Sequence, residues 1–123
     1  MSMPQNSSKD ANEYSDGTKR WIVNGKYHRI DGPAIEHANG SKFWLVNGKL
    51  HRIDGPAIEV SDGAKYWFVD GKRHRIDGPA VEHADGAKQY YLFGEEYDDI
   101  EVFRVASEML MKLFPEMIDN GNV

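Results

Sequence analysis

The heptapeptide His-Arg-Ile-Asp-Gly-Pro-Ala occurs three times in this chain, beginning at His28, His51 and His74. Successive copies begin 23 residues apart (51 − 28 and 74 − 51), and the residues around each copy repeat with it. A fixed period of this length is typical of repeat architectures, in which each unit buries its apolar face against its neighbours. The 123 residues suit one compact domain. The expected fold is therefore a linear array of one small unit.

Two columns of turn-forming pairs recur with the repeat. The first comprises Asp16-Gly17, Asn39-Gly40, Asp62-Gly63 and Asp85-Gly86, and the second comprises Asn24-Gly25, Asn47-Gly48, Asp70-Gly71 and the degenerate Phe93-Gly94. Asn-Gly and Asp-Gly between β-rich runs are a strong hairpin signal, because type I′ turns need positive φ at both central residues. The pattern predicts a mainly β fold, an antiparallel β-meander built from 23-residue hairpin repeats.

The turns also predict a register. A two-residue loop at Asn47-Gly48 would pair Leu45 with Leu50 across the hairpin. The same loop in the other column would pair Ile35 with Trp44. Because side chains alternate between the faces of a strand, the Trp-bearing face is expected to be the more buried one. In the middle repeat that face would carry Ile35, Trp44, Val46 and His51.

A Gly-Pro pair follows each turn of the second column, at Gly32-Pro33, Gly55-Pro56 and Gly78-Pro79. Gly tolerates positive φ, and Pro cannot donate to a β-ladder, so these pairs predict bulges or bends. The first half of each long strand should pair backward and the second half forward. A bend at the same place in every repeat would coil the sheet into a curved, twisted ribbon.

The repeat stops after Gly94, and the pattern becomes helical. Apolar residues spaced mostly three and four apart predict an amphipathic helix at 98–118, with Asp98 and Asp99 at its N-terminus and Pro115 ending or kinking it. This helix is expected to cap the exposed terminal strand. The predicted organisation is a disordered N-terminal segment at 1–12, a β-repeat domain at 13–97, the helix, and a flexible tail at 119–123.

Charge is unevenly distributed along the chain. Up to Gly94 there are 13 Lys and Arg against 12 Asp and Glu, whereas from Glu95 onward there are 8 acids and 2 bases. This charge balance argues against nucleic acid as the main partner, because phosphate-binding surfaces are basic. The chain has no cysteine, no apolar run of about 20 residues and no signal-peptide pattern at its N-terminus. We expect no membrane span and a cytoplasmic protein, in the host cytoplasm if it is phage-encoded.

The unit Trp-x-Val-Asn-Gly-Lys-x-His-Arg-x-Asp-Gly-Pro-Ala, read at Trp44–Ala57 and with Asp for Asn at Trp67–Ala80, resembles the MORN repeat. The resemblance covers about Asp16 to Gly94 and is closest to degenerate MORN-like repeats of bacterial and bacteriophage proteins. Arg29, Arg52 and Arg75 stand where the MORN pattern usually has Gly. The resemblance implies a β-ribbon for protein contact or self-association, with lipid binding proposed for some members, and it supplies no catalytic site.

Three repeated columns are the candidate binding residues: Arg29, Arg52, Arg75, His28, His51, His74, Trp21, Trp44 and Trp67. Equivalent residues lie two strands apart, about 9–10 Å, so three imidazoles cannot share one zinc ion. Packing of the His rings on the Trp rings is the favoured interpretation. The Arg residues, each two positions before an Asp, either form structural salt bridges or present guanidinium groups to carboxylates or phosphates. The Glu36, Glu59 and Glu82 column is too widely spaced for a coupled acid pair.

The leading functional hypothesis is a non-enzymatic protein-interaction module that uses the ribbon, the helix or both. Small size, a repeat body and an acidic C-terminal segment favour an accessory protein of phage or bacterial type that inhibits or scaffolds a host factor. The pattern predicts no catalytic residues, no metal and no cofactor. Two alternatives stay open: a binder that sequesters a small anionic ligand such as a nucleotide, and a self-assembling structural protein, for example a homodimer.

Overall fold

The computed structural model describes residues 11–117. Within this range the strands are β1 (Asn12–Glu13), β2 (Lys19–Arg20), β3 (Ile22–Val23), β4 (Lys26–Tyr27), β5 (Ile35–Glu36), β6 (Lys42–Phe43), β7 (Leu45–Val46), β8 (Lys49–Leu50), β9 (Ile58–Glu59), β10 (Lys65–Tyr66), β11 (Phe68–Val69), β12 (Lys72–Arg73), β13 (Val81–Glu82), β14 (Lys88–Leu92) and β15 (Glu95–Tyr97). They are followed by helix α1 (Ile100–Leu113) and a 3₁₀ turn at Pro115–Met117.

The strands form a meander-like antiparallel arrangement, which confirms the predicted fold class. Nine of them make one sheet in the order β1-β2-β5-β6-β9-β10-β13-β14-β15. The pairs β3-β4, β7-β8 and β11-β12 form separate two-stranded hairpins. These hairpins are joined across repeats by backbone bonds, such as Gly48 N–H to the Tyr27 carbonyl at 2.8 Å and Arg29 N–H to the Leu45 carbonyl at 3.1 Å. Each full 23-residue unit thus contributes strands to the nine-stranded sheet and one hairpin to a second row of hairpins.

The two turn columns differ in length, and this corrects the predicted register. At Asn47-Gly48 the loop has two residues, both with positive φ (52° and 81°), and Leu45 pairs with Leu50 as predicted. In the first column His37 N–H bonds to the Ser41 carbonyl at 2.9 Å, so the loop has three residues and ends in an αL glycine.

That additional loop residue moves the pairing by one position. Ile35 lies opposite Phe43, so the predicted pairing with Trp44 is wrong. A shift of one residue moves a side chain to the other face, and Ile35 therefore shares the face of Phe43. Burial is divided between the faces. Trp21 and Trp67 are buried. Leu45 and Tyr91, which come one residue after the Trp position of their repeats and so point to the opposite face, are buried as well. The Trp-bearing face is therefore not the single core face.

Bends occur at Ile30–Gly32 and its equivalents, as predicted. The glycines there do not have positive φ, however, and their role lies in the contacts described below. The second half of the long strand also pairs in both directions: β9 bonds to β6 behind it and to β10 ahead of it. The prediction of forward pairing alone was incomplete.

Helix α1 begins after Asp99, whose Oδ1 accepts the N–H of Glu101 at 2.8 Å and of Val102 at 3.4 Å. It ends before Pro115, so it is shorter than the predicted 98–118 span.

No helix within residues 11–117 has the length and apolar composition that a bilayer crossing requires. The predicted flexible tail lies outside the described residues, as do residues 1–10, but Asn12 belongs to β1 and was wrongly predicted to be disordered.

α1 packs on its own chain, against β14 and β15. In the repeat, each Arg side chain lies over the Trp ring of its own unit, and the guanidinium carbon of Arg75 is 4.0 Å from the Trp67 ring centroid. One period later the Trp position is Tyr90, and the ring above it is Phe103 of α1, with centroids 4.9 Å apart. The helix therefore takes the place of the missing next repeat and covers the end of the array.

Candidate functional site

Each repeated arginine is held within its own repeat by an arrangement that we call the arginine clamp. In the middle repeat, Arg52 Nε donates to Asp54 Oδ1 at 3.1 Å, and its Nη1 donates to the Pro56 carbonyl at 3.0 Å and to Glu59 Oε2 at 3.1 Å. The guanidinium carbon lies 3.8 Å from the centroid of the Trp44 ring. One side chain thereby ties the bend to the following strand and covers the aromatic ring.

The other two repeats form the same clamp. Arg29 contacts Asp31 at 3.1 Å, the Pro33 carbonyl at 3.1 Å, Glu36 at 3.4 Å and the Trp21 centroid at 3.9 Å. Arg75 contacts Asp77 at 3.2 Å, the Pro79 carbonyl at 3.1 Å, Glu82 at 3.2 Å and the Trp67 centroid at 4.0 Å. The predicted Arg–Asp pair is present in every repeat. The Pro carbonyl and the Glu column were missed as partners of Arg, although the Glu seven residues later repeats at the same period.

The glycine of each bend gives the guanidinium its space. A Cβ atom on Gly55 would lie 2.8 Å from Arg52 Cζ, and one on Gly32 would lie 2.7 Å from Arg29 Cζ. Real Cβ atoms do not approach another carbon so closely, so any larger residue would displace the arginine. The missing side chain of this glycine therefore leaves room for the clamp, and its φ does not lie in the left-handed region.

The clamps leave carboxylates on the surface. The Arg29 and Arg52 side chains are 17% and 22% exposed, whereas those of Asp31 and Asp54 are 57% and 72% exposed. Both pairs line a groove of about 670 Å³ between the first and second heptapeptides. A ligand entering this groove would meet carboxylates more readily than guanidinium groups, and this lowers its affinity for anions.

The histidines link successive repeats. Nδ1 of His28, His51 and His74 accepts the backbone N–H of the next repeat's turn residue, at 3.0 Å from Asn47, 3.1 Å from Asp70 and 2.9 Å from Phe93. His28 is buried and the other two are partly buried. The predicted packing was of His on Trp, whereas the side chain observed over each Trp ring is the neighbouring Arg. Burial lowers the pKa of His74, which also stacks on Phe93 with centroids 4.2 Å apart.

The remaining candidate groups are also engaged inside the fold. His83 Nε2 lies 2.8 Å from Gln89 Oε1, and His37 packs edge-on against Phe43. Among residues 11–117 there is no group of three or more His, Cys, Asp or Glu placed to hold a metal ion. No buried side-chain nitrogen or oxygen of the described residues lacks a hydrogen-bond partner. The nine predicted binding residues thus lie together as repeated structural contacts.

Helix α1 carries a feature that the candidate residues did not include. Phe103 and Ser107 are buried against the sheet, but Val102, Val105, Met109 and Leu113 are between 52% and 66% exposed. At 3.6 residues per turn these four residues lie within an arc of about 80°, and we call them the helix stripe. The signal was present in the sequence, because apolar residues occupy more of α1 than one buried face requires.

The helix stripe borders a groove of about 440 Å³, which we call the terminal groove. Helix α1 contributes Ala106, Met109, Leu110 and Leu113 to it, and the β14–β15 hairpin contributes Leu92, Phe93, Glu95 and Tyr97. Leu92 is buried, whereas Phe93 at the turn is 50% exposed. The terminal groove is therefore an apolar surface that residues 11–117 leave partly uncovered.

Phe93 occupies an unfavourable backbone conformation. Its φ is 51°, close to the 52°, 52° and 51° of Asn24, Asn47 and Asp70 at the equivalent turns. Asn and Asp tolerate this left-handed region, whereas a bulky residue there is an outlier that costs free energy. The last turn thus places an exposed aromatic ring where the repeat would favour Asn or Asp.

Comparison with known proteins adds no further constraint on this site. A scan against models of protein families, a search of curated proteins and a search of solved structures each gave no match to the chain.

Proposed function

We propose that this protein is a non-enzymatic protein-interaction module of the MORN-like repeat type, and that it contacts its partner through the C-terminal end of the array. In this proposal the repeats are the scaffold and α1 carries the contact. The protein acts in the cytoplasm as an accessory protein of bacterial or phage type, where it inhibits or scaffolds a host factor. A host cytoplasm is the site of action if the chain is phage-encoded.

The observation that carries the proposal is the contrast between the clamps and the helix stripe. The repeated Arg residues bind partners within their own repeats. The helix stripe instead exposes four large apolar side chains on one line. Contiguous exposed apolar surface beside a groove is typical of protein-interaction sites. A contact made there would bury apolar area without disturbing the repeat contacts.

Site-specific photo-crosslinking tests this proposal. A photoreactive phenylalanine analogue replaces Val105 in the helix stripe in one protein and Ile30 in another, and each is irradiated in bacterial cell extract. Ile30 is the matched control because its side chain is also 58% exposed but lies on the repeat ribbon. We expect a discrete protein adduct from position 105 only. Adducts from position 30 alone would assign the contact to the ribbon, and no adduct from either position would contradict the proposal.

The hypothesis of a small anionic ligand has a separate test. Its sites would be the Arg and His columns, whose guanidinium groups lie beneath carboxylates in the structure. Titration calorimetry with ATP at low salt should therefore give no saturable heat. Saturable heat that disappears in an Arg52→Lys variant would replace the interaction module with a nucleotide binder.

A further inference from the structure

The terminal groove has the shape and chemistry of a receptor for one kind of partner. We infer that it binds a basic amphipathic α-helix of about three to four turns, and this inference rests on the proposed function. The helix stripe runs from Val102 to Leu113, which is about 16 Å along α1 at 1.5 Å per residue. A partner helix lying beside α1 would present apolar residues at i, i+3 or i+4, and i+7 along the same length.

The groove offers apolar contact on two walls. Met109 and Leu113 come from α1, and Phe93 comes from the hairpin turn opposite. The positive φ of Phe93 is an independent sign that an exposed ring is useful at this position, because Asn or Asp would fit the turn with less strain. His74 stacks on the ring and fixes its orientation. An aromatic ring held in this way is a suitable anchor for a partner side chain.

The charges around the groove indicate which charge the partner should carry. Glu95 lines the groove on the hairpin side. On α1, Glu101 and Glu108 lie with Lys112 on the flank of the helix stripe that faces away from the groove. Residues 95–117 contain seven acids against two bases, of which Arg104 is paired with Glu101 at 2.7 Å. Carboxylates around an apolar surface attract a partner with Lys and Arg beside its apolar face.

The same charges argue against two other occupants. A second copy of this chain would bring an equal set of carboxylates to the interface, and like charges across an interface repel. An anionic lipid surface would be repelled for the same reason. A strand added to the edge of β15 would need alternating apolar and polar residues, whereas the groove continues along α1. A basic amphipathic helix satisfies both the apolar walls and the charge.

Peptide binding to the full chain tests the inference. The probe is a fluorescent peptide of about 14 residues made of Leu and Lys with helical spacing, which forms a basic amphipathic helix. One control peptide has the same composition in strict Leu-Lys alternation, and another has Glu in place of Lys. Fluorescence anisotropy should show saturable binding of the helical Lys peptide and much weaker binding of both controls. Equal binding of the alternating peptide, or tighter binding of the Glu peptide, would overturn the inference.

Variants locate the binding surface. Met109→Ser with Leu113→Ser should weaken binding of the helical Lys peptide by about tenfold or more, whereas Ile30→Ser should change it by less than about twofold. Val105→Ser gives a second measurement at the helix stripe if the double variant does not fold. Glu95→Gln with Glu108→Gln should reduce the association rate and its dependence on salt. Binding that is indifferent to the stripe substitutions would contradict the inference.

Two further results separate this inference from the proposed function. If the photoreactive residue at position 105 captures a protein while the helical Lys peptide does not bind, the interaction module stands and the basic helix is wrong. If native mass spectrometry shows a dimer that Met109→Ser with Leu113→Ser converts to a monomer, a second copy occupies the groove and the inference is overturned. Failure of both the crosslink and the peptide would remove both proposals.

Discussion

At the scale of single residues, the arginine clamp explains why Arg and Gly recur together. The Arg52→Ala substitution removes three hydrogen bonds and the contact with the Trp44 ring, and it leaves Glu59 without its guanidinium partner. We expect the free energy of unfolding, measured in urea, to fall by about 2–3 kcal/mol. Arg52→Lys should recover only part of the loss, because an ammonium group cannot reproduce the planar fork. Arg104→Ala, which removes an exposed pair, should cost less than about 0.5 kcal/mol.

The clamp also predicts an energetic coupling between two residues. Gly55→Ala alone should destabilise the protein by about 1–3 kcal/mol, because the new Cβ would lie 2.8 Å from Arg52 Cζ. In the Arg52→Ala background the same substitution should cost far less, since the conflicting atoms are gone. A double-mutant cycle in urea measures this coupling. Additive effects of the two substitutions would show that Gly55 serves the backbone instead.

His74 makes stability depend on pH in a defined direction. Burial lowers the pKa of His74 below its ordinary value of 6.5, so below that pH the unfolded chain binds a proton more readily than the folded one. The stabilisation is complete above about pH 6.5 and declines as the pH falls toward the lowered pKa. Protonation also removes the Nδ1 acceptor of the Phe93 N–H. Urea unfolding at several pH values should show a smaller acid loss in His74→Gln than in the wild type, and identical profiles would contradict this.

At the scale of elements, the sequence predicted the hairpin turns but not the difference between them. Both columns contain Asn-Gly or Asp-Gly, yet only the second forms two-residue loops. In the first column the Asn39 side chain accepts the Ser41 N–H at 2.8 Å, which stabilises a three-residue loop. The dipeptide alone does not distinguish the two, because both loops need an αL glycine. One additional loop residue was enough to reverse the predicted face of Ile35.

Only part of the candidate site could be predicted from the sequence. Repetition alone marked Arg29, Arg52 and Arg75, and spacing predicted their Asp partners. The sequence does not predict whether a guanidinium faces solvent or its own repeat. That orientation depends on the shape of the backbone bend, and the Arg itself stabilises the bend by bonding to the Pro carbonyl. The helix stripe could not be predicted for a different reason. Apolar spacing predicts an amphipathic helix, but it does not say which part of a wide apolar arc the sheet covers.

The α1 N-terminus allows a direct test of how the helix is fixed. Asp99→Ala removes the acceptor for the N–H groups of Glu101 and Val102 and should lower the free energy of unfolding by about 1 kcal/mol. Asp99→Asn retains an acceptor and should cost clearly less. Thermal and urea unfolding of the two variants measure the difference. An equal loss in both would show that the charge of Asp99, rather than the cap bond, stabilises the helix.

At the scale of the whole molecule, contacts run mainly between neighbouring units. The His residues join each repeat to the next, and α1 contacts β14 and β15 at the end of the array. Stability in such an array is close to a sum of local and nearest-neighbour terms. Damage at the helix should therefore remain near the helix, and the first repeats should keep their structure.

The Phe103→Ala substitution tests this locality. Phe103 is buried between Tyr90 and Tyr97, with ring centroids 4.9 Å and 6.0 Å away, so truncation should cost about 3–5 kcal/mol where α1 meets the sheet. Hydrogen exchange should then show lost protection in β13 to β15 and retained protection in β5 to β8. Val105→Ala, at an exposed position of the same helix, should leave both regions unchanged. A uniform loss across all repeats would mean instead that α1 stabilises the array as one cooperative unit, and that a partner bound at the terminal groove would stabilise the entire ribbon.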